Sequence, residues 1–100
     1  MGALSRTGLG TYTNQTISIQ PNVYQKVRFT VLPQSTGTAT LNLNSGFFGT
    51  VATNGITLSA GADGNLSSYT VGDGTDWVTS ATIVIGVNCT VIIEGFIYKL

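Results

Sequence analysis

The side chains able to do chemistry are few: one cysteine, no histidine and four carboxylates in 100 residues. Nucleophilic catalysis needs a base beside the nucleophile, so a chain without histidine has no Ser-His or Cys-His pair. Cys89 falls instead in the alternating run Val87, Cys89, Val91, Ile93, where a small, inert core residue fits. Asp63, Asp73 and Asp76 lie in glycine-rich turns, which favour aspartate for backbone reasons, and only Glu94 sits in a strand-like run. No acid/base pair is expected from these four. No catalytic residue is assigned, and the chain is read as a non-enzyme.

Two of the aspartates share Gly72-Asp73-Gly74-Thr75-Asp76, which offers carboxylate and carbonyl oxygens to a cation such as Ca²⁺. The alternating acidic ligands and closing glutamate of an EF-hand loop are missing, so the segment reads as an ordinary Asp/Gly turn. Neither a metal nor a cofactor is expected. Tyr69 and Trp77 flank this loop, an arrangement that would let a sugar ring stack while Asp73, Asp76 or Asn65 accepts its hydroxyls. The competing expectation is that Trp77 closes one end of a hydrophobic core. Lys26 and Arg28 alternate with Tyr24 along one strand, but two cations make too few phosphate contacts to hold a nucleic acid at physiological salt. Nucleic acid is therefore not an expected partner.

A period of two, punctuated by glycine and asparagine, sets what must position these side chains. Ile17 and Ile19 alternate with Thr16, Ser18 and Gln20, and Pro21-Asn22 predicts the turn of a first hairpin. The next strand, 23–32, places Val23, Gln25, Val27, Phe29 and Val31 on one face and ends at Pro33. Ala39, Leu41 and Leu43 alternate with Thr38, Thr40 and Asn42. Strands over 47–53 and 56–60 are expected to meet in a hairpin at Asn54-Gly55, and another strand spans 66–71. From Trp77 to Ile85 the pattern predicts one face of Trp77, Thr79, Ala81, Ile83 and Ile85 and an opposite face of Val78, Thr82 and Val84. The closing stretch puts Cys89, Val91, Ile93 and Ile97 on one side and Ile92, Glu94, Phe96 and Tyr98 on the other, so both its faces are expected to be covered. The whole predicts an all-β antiparallel β-sandwich or small barrel, jelly-roll- or Greek-key-like, of about eight strands.

Charged residues make up 8% of the chain, against about 25% in an ordinary soluble domain, and the net charge is zero. Thr, Ser, Asn and Gly fill the polar positions, giving a neutral exterior poorly protected against association, which suits a subunit of an assembly. No apolar run reaches the roughly 18 to 20 residues of a membrane helix, and the opening MGALSRTGLGTYTNQT lacks the apolar centre of a secretory leader. Neither a membrane partner nor export is expected. One hundred residues predict one domain over 14–100. Residues 1–13 carry three glycines and no period, predicting an extended N-terminal arm. Its Leu4 and Leu9, separated by polar and glycine residues, would each fill a pocket on a neighbouring subunit.

The arm, the Thr/Asn/Gly-rich strands of GTATLNLNSGFFG (37–49) and the apolar closing strand TVIIEGFIYKL (90–100) together resemble the small all-β accessory proteins of tailed bacteriophage virions, the cement or decoration proteins. The resemblance implies a structural virion protein, made in the host cytoplasm, that binds the outer capsid surface between capsomers and clamps the shell. Its partners would be the major capsid protein and itself, as a homodimer or homotrimer. Leu4, Leu9, Tyr12, Ile92, Phe96 and Tyr98 are the expected oligomer or capsid contacts. A carbohydrate-binding β-module, with Tyr69, Asp73, Asp76 and Trp77 as its platform and a glycan as its partner, is the alternative; a neck or tail subunit is a third.

Overall fold

β-Branched and aromatic residues at alternate positions leave strands as the only regular elements among the described residues, which in the computed structural model are 2–43, 53–61, 66–72 and 74–99. They are β1 (Ala3–Gly8), β2 (Thr11–Thr13), β3 (Thr16–Ile19), β4 (Lys26–Val31), β5 (Ala39–Leu43), β6 (Thr53–Leu58), β7 (Ser68–Val71), β8 (Ala81–Ile85) and β9 (Thr90–Lys99). All pair antiparallel in two sheets. One sheet has the order β1-β9-β4-β7, with β2 also on β9, and the other the order β3-β8-β5-β6. Because β1 takes Gly95–Lys99 and β2 takes Thr90–Ile92, the two act as one interrupted strand along a single edge of β9. Counted so, the first strand pairs with the last, β3 with β8, β4 with β7 and β5 with β6. A long hairpin ribbon rolled up in this way is a jelly roll.

The expected sandwich is thus the fold, and its core lies between the sheets. Val27, Phe29 and Val31 of β4 and Val91 and Ile93 of β9 face Ala39, Leu41 and Leu43 of β5 and Ala81, Ile83 and Ile85 of β8, all buried in one cluster. Cys89 belongs to that cluster, and its burial holds the thiol above the ordinary range while a hydrogen bond with Ser35 pulls the other way. Gly95 continues the inner row of β9 without a side chain, and the Tyr24 ring fills the vacated space, resting against Gly95 and its register partner Gly8. A Cβ at Gly95 would run into that ring.

Several local expectations are corrected by pairing. Pro21-Asn22 does not close a hairpin: β3 and β4 belong to different sheets, so the turn is a crossover, with Asn22 at φ 63° donating its N–H to the Val78 carbonyl. Asn54-Gly55 is not a hairpin either. Both residues lie inside β6, where the register against β5 slips between Leu41 and Leu43, and Gly55 at φ 78° forms a bulge whose N–H is held by Asn42 Oδ1 at 2.9 Å. The strand expected over 47–53 falls mostly outside the described residues. The expected strand at 66–71 shortens to β7, with Leu66 making a single bridge to Leu58. Val23 is exposed ahead of β4. The run from Trp77 becomes a strand only at Ala81, and Val78 enters the core in place of Trp77.

Within the expected arm, 3–8 and 11–13 lie along the edge of β9 of their own sheet as β1 and β2. Arg6 and Gly8 oppose Phe96 and Gly95 across a bulge, Leu9 turns the chain at φ 76°, and the Gly10 carbonyl accepts the Ile93 N–H at 2.8 Å. Deleting 2–13 is therefore expected to strip one edge of β9 and lower stability by about 3 kcal/mol or more, at about 1 kcal/mol per ladder hydrogen bond, read by urea unfolding. A second expectation follows from the raised thiol value of Cys89. The unfolded chain releases that proton first, at about pH 8.5, so this group's contribution to stability is present below that pH and is lost as pH rises further. Cys89→Ala should flatten the alkaline slope of stability, and native Cys89 should resist a thiol reagent that labels it in denaturant.

Candidate interaction surface

The outward residues of the five-stranded sheet come from the even positions of β4 and β9, opposite the buried odd ones. On β9 these are Ile92, Glu94 and Phe96, all half-buried. Register sets Arg28 directly across from Glu94, and places Arg6 and Lys26 on the two sides of Phe96. Arg28 grips Glu94 Oε1 with two nitrogens, Nε at 3.0 Å and Nη2 at 2.9 Å, while Arg6 Nε stands 3.5 Å from Oε2. The Arg28 guanidinium also lies over the Phe96 ring, 5.4 Å from its centroid. One carboxylate thus organises two arginines drawn from different strands, and its side chain is only 20% exposed. The face is net cationic, with an aromatic ring at its centre.

The outward face of the other sheet is chemically unlike it. Its strands TISI, ATLNL, TNGITL and ATIVI contain no charged residue. Register aligns Thr16, Val84, Thr40 and Thr57 across four strands, with Ser18, Thr82 and Asn42 in the next row. Val84 is 45% exposed, so this face of β8 is open. All four cations of the chain, Arg6, Lys26, Arg28 and Lys99, belong to the five-stranded sheet.

The expected contact residues divide. Ile92 and Phe96 do lie on the outward face, and Tyr98 is 47% exposed at its end. Leu9 and Tyr12 are half-buried and pack against the protein's own core. Leu4 pairs opposite Tyr98 and lies close to Gly74 of its own chain. The expected sugar platform is only partly exposed. Tyr69 stands opposite Phe29 and packs against the core, Trp77 is 49% exposed, Asp76 is exposed, and Asn65 and Asp73 lie outside the described residues. Trp77 is not the core anchor; Val78 is, because its N–H and carbonyl are tied to Tyr24 and Asn22 and turn its side chain inward.

Gln25 fastens this end of the fold. Its backbone N–H donates to the Phe96 carbonyl, its Oε1 accepts the Tyr98 N–H at 2.6 Å, and its Nε2 donates to the Thr75 carbonyl at 3.0 Å. Arg6 and Glu94 were not linked by sequence reasoning, since only the β1–β9 register brings them together. The one signal present was opposite charge at alternating positions of two strands, Arg28 and Glu94, that turn out to be neighbours.

Among the described residues no three His, Cys, Asp or Glu side chains are placed to hold a metal ion. Set against known protein families, curated proteins and solved structures, the chain matches none. Ion pairs at this degree of exposure contribute about 0 to 1 kcal/mol. Glu94→Gln is accordingly expected to cost less than about 1 kcal/mol in urea unfolding, an effect that shrinks further in high salt.

Proposed function

We propose that the protein is a non-enzymatic structural subunit of a virion, a cement protein that docks on the outer capsid surface at capsomer junctions and stabilises the shell. The observation that carries this reading is the division of labour between the two outer faces. Arg6, Lys26 and Arg28 around Phe96 and Ile92 give a cationic face with an apolar centre, suited to an acidic, partly apolar patch of the major capsid protein. The uncharged face of the other sheet suits a second copy, since two such faces meet without like-charge repulsion, giving a homodimer or homotrimer. Jelly-roll connectivity is shared by viral capsid and lectin domains, an analogy of fold that favours both readings alike.

The mechanism is mass action. A junction of about 1,200 to 2,000 Å² adds binding free energy only to the assembled shell, and so raises the temperature or force needed to open it. Repetition over many junctions lets modest affinity at each suffice. The exposed Trp77 favours a second reading, a carbohydrate-binding module, with stacking on that ring alone now that Tyr69 faces inward.

The deciding experiment is cosedimentation with shells built from the coat protein encoded in the same genome. Binding at low salt is expected, with Phe96→Ala weakening it about 30-fold, the effect of removing an aromatic anchor, and Arg6→Ser with Lys26→Ser making it less sensitive to salt. Failure of the intact protein to sediment with shells, or the absence of any shell protein from that genome, would sink the reading. In the free protein, Val84→Lys on the uncharged face should shift sedimentation toward monomer.

A further inference from the structure

At the end of the sandwich away from Trp77, three connections close around a cleft of 470 Å³ lined by Thr13, Asn14, Gln34, Ser35, Thr36, Val87, Asn88 and Thr90. That volume lies within the range of about 300 to 1,000 Å³ typical of small-molecule sites. Its walls are the β2–β3 corner, the β4–β5 loop and the β8–β9 turn, and they are tied to one another through the backbone. Thr36 and Gly37 both donate their N–H to the Asn88 carbonyl, at 2.9 and 3.0 Å, and Leu32 donates to the Thr90 carbonyl at 2.9 Å. Ser35 Oγ accepts the Thr90 N–H at 2.9 Å, and Thr13 Oγ1 donates to the Cys89 carbonyl at 2.8 Å. The cleft is therefore shaped before anything enters it, so little ordering cost attaches to binding there.

The lining side chains fall into two groups. Thr13 and Ser35 are used up in holding the walls together. Those of Asn14, Gln34, Thr36 and Asn88 are exposed and make no hydrogen bond to any described residue, leaving three amides and a hydroxyl open to a ligand. An amide offers both a donor and an acceptor, the combination that pairs with adjacent hydroxyls. Asn14 at φ 47° and Asn88 at φ 60° occupy corners of the left-handed kind, which asparagine tolerates better than most residues. Val87, 65% exposed, adds an apolar surface beside them. Among the described residues, no charged side chain lines the cleft. A charged ligand would find no counter-charge, and an apolar one would strip water from the amides without replacing it.

From this chemistry we infer that the cleft is a binding site for a neutral saccharide, whose hydroxyls are met by Asn14, Gln34, Thr36 and Asn88 and whose C–H face rests on Val87. The site is separate from Trp77 and from the cationic face, and it stands whether or not the protein docks on a capsid. A subunit held to a shell by its cationic face could present this cleft to glycans at the same time.

The test is a titration of the ¹⁵N-labelled full chain with glucose, galactose, mannose, N-acetylglucosamine and their β-linked disaccharides, followed by amide chemical shifts. Saturable shifts confined to Asn14, Ser35, Thr36 and Asn88 are expected from at least one sugar. Asn14→Gly with Asn88→Gly keeps both positive-φ corners while removing both amides, and is expected to weaken that binding at least tenfold with thermal stability retained. Glucuronate, which adds a carboxylate, is expected to bind no better than glucose. The inference is overturned if no sugar produces saturable shifts, if the shifts appear at Trp77 instead, or if the double glycine variant binds as well as the parent. Shell cosedimentation is measured separately, so failure of the capsid reading leaves this result intact and the reverse also holds.

Discussion

The backbone of β9 must be satisfied on both edges, and most of the architecture follows from how that is done. Ten residues long and buried along its inner row, it presents alternating N–H and C=O groups to either side. β4 takes one edge from Lys26 to Val31, and Gln25 extends that pairing with its own side chain. The other edge is covered by the earliest residues of the chain, split into β1 and β2 by a bulge and the Leu9 corner. Covering that edge removes a ten-residue template for pairing with other chains, an exposure a protein of zero net charge would have little means of resisting.

How much of this was legible depended on whether a feature is local. The strands of β4, β5 and β9 were readable because their apolar residues alternate without interruption, and each buries the row the pattern marks. The Asn-Gly pair misled because a left-handed glycine serves a bulge as well as a turn, and only the partner strand decides between them. Pro21-Asn22 misled for a related reason: a turn says that the chain bends, not whether the next strand joins the same sheet. At Trp77 and Val78 a one-residue slip of parity exchanged an exposed ring for a buried valine, because the strand begins only at Ala81 and the backbone before it does not alternate. The candidate surface was legible in part. Ile92 and Phe96 were on the expected face, but the Arg28–Glu94–Arg6 cluster depends on register between segments far apart in sequence.

The two faces also show how so few charges can still organise a molecule. Dispersed over the surface they would average out; gathered on one sheet they give the subunit a direction. The carboxylate at the centre limits repulsion among the cations, so Arg6 and Arg28 can lie on neighbouring strands of β9 without driving the sheet apart. The opposite face, with hydroxyls and amides in register and nothing ionic, keeps no record of pH or salt.

Pairing Ala3 with Lys99 has a consequence for the order of events during synthesis. β1 and β2 leave the ribosome with no edge to join, and wait until β9 has emerged to supply one. Their sequences, ALSRTG and TYT, are mostly polar and short, which suits segments that must stay unpaired meanwhile without aggregating. The arginine–glutamate cluster draws one member each from β1, β4 and β9, so it cannot exist on a chain that stops before Glu94. Only a polypeptide that extends through β9 carries the ordered cationic face, and a product cut short of it lacks that face from the outset.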